Sequence, residues 1–160
     1  MATKIISSGF DAVIKEFEEI ADQSDRICTA AVYRGAGLMA DKLKESVRVV
    51  TTEKRRAHKT NRILPYEKEA LQKGLTIGKF EHDKERDFVG TDITFRGYTD
   101  HPTESFPSGM PIKYLARSIN AGTSFRSANR FFGNTVRRNT QQVEKEMAET
   151  IESELKKIIK

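Results

Sequence analysis

Apolar positions fall into helical rhythm at both ends of the chain and into a different rhythm in the middle. Phe10, Val13, Ile14, Phe17, Ile20 and Ala21 recur at the three- and one-residue steps of a single helical face. Ser8 is placed to cap this helix, with Asp11 near its exposed amides. After Ser24 and Asp25 the pattern resumes through Ile27, Cys28, Ala31, Val32, Leu38, Met39, Leu43 and Val47. One kinked helix and two separate helices both satisfy this spacing. Gly35 and Gly37 weaken the second stretch, at about 1 kcal/mol each against alanine, or permit another element to approach closely.

Apolar periodicity stops at residues 51–61, which hold no large apolar side chain and much positive charge. This segment is expected as an exposed, mobile loop. Tyr66 to Lys73 predicts a short helical turn stopped by Gly74. Leu75, Ile77 and Phe80, then Phe88, Val89, Ile93 and Phe95, flank a charged turn around His82 to Glu85 and predict a β-hairpin. Residues 97–111 carry three prolines and two glycines and are expected as a second mobile loop. Lys113 to Ala121 reads as a strand or extended segment ending at Gly122. Val136, Thr140, Val143, Met147, Ile151, Leu155 and Ile158 then advance by threes and fours, the clearest helix of the chain, with lysines at its negative end.

This order predicts an α+β fold, a small antiparallel sheet packed by an N-terminal helical region and a long C-terminal helix. One domain is expected over 1–160. Within it lie a helical region at 1–48, a basic loop at 49–65, a β-rich part at 66–124 and the last helix at 128–160. A length of 160 residues fits a single core, but 37% hydrophobic residues and a mean hydropathy of -0.59 keep that core modest. Burial through self-association would add to it.

The lone Cys28 cannot form an internal disulfide and reads as a small apolar helix residue. No run approaches the roughly 18–20 apolar residues of a membrane span. No signal peptide is evident, so a cytoplasmic protein without membrane contact is expected.

The net charge of +5 is weak evidence for a nucleic-acid partner, but its distribution is uneven. Residues 105–143 contain no acidic side chain and include Lys113, Arg117, Arg126, Arg130, Arg137 and Arg138. A second basic run holds Lys54, Arg55, Arg56, His58, Lys59 and Arg62. Such clusters neutralise phosphates without reading sequence. Arg55, Arg56, Lys59, Arg62, Arg126, Arg137 and Arg138 are therefore the candidate contacts to DNA or to a partner.

Candidate catalysis is sparse. His58, His82 and His101 lie far apart in polar segments, and no pair has zinc-ligand spacing. Residues 74–80 (GLTIGKF) superficially resemble a phosphate loop. They have one residue too few between the glycines, and no Ser or Thr follows the lysine. Glu81, Asp83, Glu85 and Asp87 alternate with His82, Lys84 and Arg86 in a turn. That reads as solvated surface rather than a nuclease centre, for which carboxylates must converge on a metal. No nucleophile has an evident base. The expectation is a protein without enzymatic activity, metal or cofactor.

One segment carries a likeness. Tyr114-Leu115-Ala116-Arg117-Ser118-Ile119-Asn120-Ala121-Gly122-Thr123-Ser124, then Ala128-Asn129-Arg130-Phe131-Phe132, resembles a phage tail-component family. These are the tail-completion (terminator) or head–tail joining proteins of long-tailed bacteriophages. Members show a Tyr-Ala step, a Gly-Thr pair and a Phe-led start to the last helix. Upstream, Gly35-Ala36 and Lys42-Leu43-Lys44 before a basic loop fit the same order. The chain departs from the pattern at Arg62-Ile63-Leu64-Pro65, at Asn120-Ala121 before the Gly-Thr, and at Arg130, where members carry proline. The resemblance implies a structural virion protein of the tail or neck, assembled in the host cytoplasm. It implies a homo-oligomeric ring, of six copies, that meets tail-tube and head-connector proteins. The motif residues Tyr114, Ala116, Gly122, Thr123, Ser124, Phe131 and Phe132 also have a structural reading. Gly122 turns the chain, Thr123 and Ser124 brace the turn through nearby amides, and the phenylalanines wedge the last helix against the sheet. Nonspecific contact with DNA through the basic clusters is the alternative function.

Overall fold

The structure, a computed structural model, describes residues 10–54, 59–83, 85 and 88–159. Ser8, Arg55, Arg56, His58, Lys84, Arg86 and Asp87 lie outside the described residues, as does the side chain of Phe10.

The two N-terminal stretches form one helix, α1 (Phe10–Val49), 40 residues long. Ser24 does not interrupt it, because its hydroxyl donates back to the Ala21 carbonyl at 2.9 Å. Thr29 does the same to Asp25 at 2.6 Å. Helix α4 (Phe131–Ile158) runs antiparallel along α1. Arg34 Nε meets Glu146 Oε1 at 3.0 Å. At Gly35 a Cβ would stand 2.7 Å from the Met147 side chain and 3.2 Å from Val143, so this glycine is where the helices touch. A Cβ at Gly37 would meet no other element within 4 Å among the described residues, so this glycine is not needed for such a contact. The α4 stripe from Val136 to Ile158 is half-buried along this seam.

Between the long helices the chain builds α2 (Pro65–Gly74), an antiparallel hairpin and α3 (Ile112–Ala121). Pro65 opens α2 at a position that needs no N–H, and Glu67 accepts the Leu64 N–H at 2.8 Å. The hairpin consists of two short ladders in series. Strand β1 (Leu75–Ile77) pairs with β4 (Ile93–Phe95), and β2 (Glu81–Asp83) pairs with β3 (Phe88–Gly90). Residues 78–80 on one arm face 91–92 on the other, so one extra residue bulges the arm and splits the sheet. The Gly78 N–H still donates to the Asp92 carbonyl at 2.7 Å. The outer ladder leans on α1, where Tyr33 and Phe80 stack with ring centroids 6.0 Å apart.

Residues 113–121, expected as extended, are helical. Ile112, Leu115, Ala116 and Ile119 share one face of α3 and are all buried, and that burial outweighs the strand context before them. The 66–124 part is thus as much helix as strand. Residues 97–111 form no helix or strand but are tied internally. The Thr99 N–H donates to Met110 O at 2.9 Å, and the Met110 N–H donates to Thr99 Oγ1 at 3.0 Å.

The architecture is α+β, with two small antiparallel sheets rather than one. Its core gathers at the C-terminal end of α1, where Leu43 and Val47 meet Ile63, Leu71, Phe95, Ile119 and Phe131. Toward the other end of α1 the described apolar side chains are exposed. Val13, Ile14 and Phe17 were expected in a packed face, yet they are 46%, 50% and 67% exposed. Helix α4 stops at Ile158, and taken in register from the Arg34–Glu146 pair its end lies beside about residue 22 of α1 at equal rise. The first turns of α1 therefore project past it. Among the described residues no helix is long and apolar enough to cross a membrane.

Candidate functional site

Residues 114–132 form a knot that ties every element of the core end together. Helix α3 ends at Gly122, whose φ of 80° and ψ of 173° suit glycine alone. Its N–H donates to Ser118 O at 2.9 Å. A Cβ here would lie 2.8 Å from the Ala128 nitrogen and 3.0 Å from the Arg126 carbonyl. Gly122 thus turns the chain off a helix, not off a strand. The turn that follows is closed by backbone bonds between Thr123 and Arg126, at 2.8 and 3.3 Å. Thr123 and Ser124 are exposed on it.

Arg126, expected on the basic surface, is buried instead, with its side chain 6% exposed. Its Nη2 donates to Oε1 of Glu67, itself 1% exposed, at 2.6 Å. Glu67 thereby joins the N-terminus of α2 to the turn, since its other oxygen holds the Leu64 N–H. Arg126 Nη1 has no hydrogen-bond partner among the described residues. A buried pair needs its charges compensated, so this arginine is committed to the interior and is unavailable to a phosphate. Its position in a basic run hid this; only the distant Glu67 explains it.

The start of α4 is held across the chain. Arg130, the N-cap residue, adopts a left-handed φ of 58° and has no capping side chain. Asn120 of α3 replaces it: its Oδ1 accepts the N–H groups of Phe132 at 3.1 Å and Gly133 at 3.3 Å. Asn120 O accepts the Arg130 N–H at 3.1 Å. The side chain of Asn120 thus supplies the cap that the local sequence lacks. Phe131 and Phe132 sit against Phe95 of β4, with centroids 6.3 and 6.2 Å away, as the wedge reading expects. Ala116 is buried in α3, while Tyr114 on the same helix is 58% exposed.

The two basic runs, far apart in sequence, adjoin in space. Lys59 N donates to Phe125 O at 3.0 Å, Ser127 Oγ to Lys59 O at 2.8 Å and Asn129 Nδ2 to Asn61 O at 2.9 Å. Lys59 and Arg62 are exposed beside this junction, as is Arg130. Arg137 and Arg138 are also exposed, further along α4, where Arg137 donates to Asn134 Oδ1 at 3.0 Å.

His101, His82 and Asp83 each have a local neighbour. His101 stacks on Tyr66 with centroids 4.3 Å apart, and His82 Nε2 lies 3.4 Å from Thr29 Oγ1. Asp83 Oδ1 accepts the Glu85 N–H at 3.1 Å. Among the described residues, no three His, Cys, Asp or Glu side chains gather in reach of one metal ion. Residues 74–80 run from the last residue of α2 through β1 to the bulged arm of the hairpin. Cys28 is exposed on α1.

A shallow groove of about 190 Å³ opens on the outer side of the knot. Ile93, Phe95, Ala116 and Phe132 line it, with Lys113 and Arg117 one helical turn apart on α3. No protein-family model matches the chain, and neither does a curated protein or a solved structure.

Proposed function

We propose that the chain is a structural virion protein of a long-tailed bacteriophage, a tail-completion protein acting in head–tail joining as an oligomeric ring. The observation that carries this is residues 114–132. Their resemblance to the tail-component family falls on residues whose geometry is architectural. Gly122 sets the chain direction, Ala116 is buried in the core, and Phe131 and Phe132 pack against Phe95 of β4. A ring interface is heterologous and needs two different complementary faces on each subunit. The segregated charge of this chain supports such a pair of faces.

The test is genetic and structural. A nonsense mutation in the gene of a producing phage should leave full heads and finished tails that do not join. The protein, labelled by antibody, should sit at the head–tail junction of wild-type particles. Normal particles from the mutant would overturn the reading.

The convergence of the basic runs near Lys59, Arg62 and Arg130 favours one second reading, sequence-blind contact with DNA. It requires binding to duplexes of unrelated sequence that weakens steeply with salt. It also requires loss of that binding when Lys59 and Arg62 are replaced by glutamine.

A further inference from the structure

The projecting end of α1 and the groove beside α3 are opposite in character. Val13, Ile14 and Phe17 form an exposed apolar stripe one turn long. Residues 10–25 around it carry six acidic side chains against one basic. The groove has an apolar floor of Ile93, Phe95, Ala116 and Phe132, and a rim of Lys113 and Arg117. Both rim residues are exposed, in a stretch of 39 residues without a carboxylate side chain. An acidic amphipathic helix end and a basic-rimmed apolar groove complement each other in both charge and hydrophobicity.

They cannot meet within one molecule. Phe132 lies near the start of α4, by the C-terminal end of α1, while Phe17 lies near the start of α1. In register from the Arg34–Glu146 pair, about 45 Å of bundle separates them at 1.5 Å per residue.

We infer that the α1 end of one copy docks, through Val13, Ile14 and Phe17, in the groove rimmed by Lys113 and Arg117 of a second copy of this chain. The contact is heterologous, so every open oligomer keeps one free α1 end and one free groove until a ring closes. It gives the ring of the proposed function a specific contact, and it rests on that reading only for closure. Each contact is small, so association depends on concentration. Its charged rim makes it weaken with salt.

Sedimentation velocity of the full chain up to about 1 mM populates even a contact with a dissociation constant of that size. One variant carries Ile14→Glu with Phe17→Glu, the other Lys113→Glu with Arg117→Glu. All four side chains are exposed, so both variants should fold, with circular dichroism unchanged. Wild-type protein should assemble, and each variant alone should associate at least about tenfold more weakly. Mixed, the two variants should give a one-to-one complex and stop there, because each retains one intact face. Assembly of either variant at wild-type strength would overturn the inference yet leave a ring built through other faces. Wild-type protein that stays monomeric at 1 mM would overturn it as well, and phage with unjoined heads and tails would still uphold the tail reading. A mixture that does not pair would show that the stripe and the groove serve different partners.

Discussion

The Glu67–Arg126 pair offers the sharpest measurement of what holds the knot together. Both side chains are almost wholly buried, at 1% and 6% exposure, and 2.6 Å apart. Replacing Arg126 with methionine would leave the Glu67 charge in the interior without this partner. Replacing Glu67 with leucine would strand the guanidinium and also free the Leu64 N–H. Losing one member of a buried pair costs about 3–5 kcal/mol, and the lost Leu64 bond adds about 1 kcal/mol. Domains of this size hold about 5–15 kcal/mol in all, so either single variant sits near the edge of folding. With about 2–4 °C lost per kcal/mol, Tm should fall by roughly 6–20 °C for Arg126→Met and roughly 8–24 °C for Glu67→Leu. The double variant removes both charges together. Arg126 Nη1 has no partner among the described residues, so the native pair is itself imperfectly compensated. The double variant should therefore recover at least about half of either single loss, a coupling that does not appear between independent sites. Urea unfolding followed by circular dichroism measures all three. Single losses below about 1 kcal/mol, or losses that simply add, would show that the pair is not buried as a unit.

Three further outcomes follow from the same geometry. Asn120→Ala should cost about 1 kcal/mol by uncapping α4, and Asn120→Asp should restore most of it, because only the Oδ1 acceptor is used; urea midpoints decide this. Gly122→Ala should cost about 2 kcal/mol or more, since its backbone angles and the Ala128 nitrogen both oppose a Cβ; equal stability of the variant would refute that geometry. Exposed Glu69 is held below the ordinary carboxylate range, first by its hydrogen bond from Lys73 and then by that residue's charge. Its small contribution is therefore present above a pH of about 4.5 and lost as pH falls through the folded-state value. Carboxyl NMR titration should show Glu69 returning to the ordinary range in Lys73→Ala.

What the sequence by itself determined was the identity of the strongly periodic elements and the overall class. The stripe from Val136 to Ile158 made a helix because side chains at three- and four-residue steps share a face wherever they lie. Leu75, Ile77, Ile93 and Phe95 made paired strands around a charged turn for the same local reason. The value of Phe131, Phe132 and Gly122 as wedge and turn was legible too, since aromatic bulk and glycine's backbone freedom are properties of the residues alone. Tertiary structure decided what depends on distant partners. Residues 113–121 became a helix because a buried face awaited Ile112, Leu115 and Ile119. Arg126 turned inward because Glu67, 59 residues away, stood opposite it. Asn120 became the cap of α4 only because two helix ends meet at the knot. Phe17 was left in solvent because α4 ends before reaching it, and no periodicity within α1 records the length of another helix. Local spacing fixes which face of an element is apolar; where the chain's other segments end fixes which parts of that face are covered.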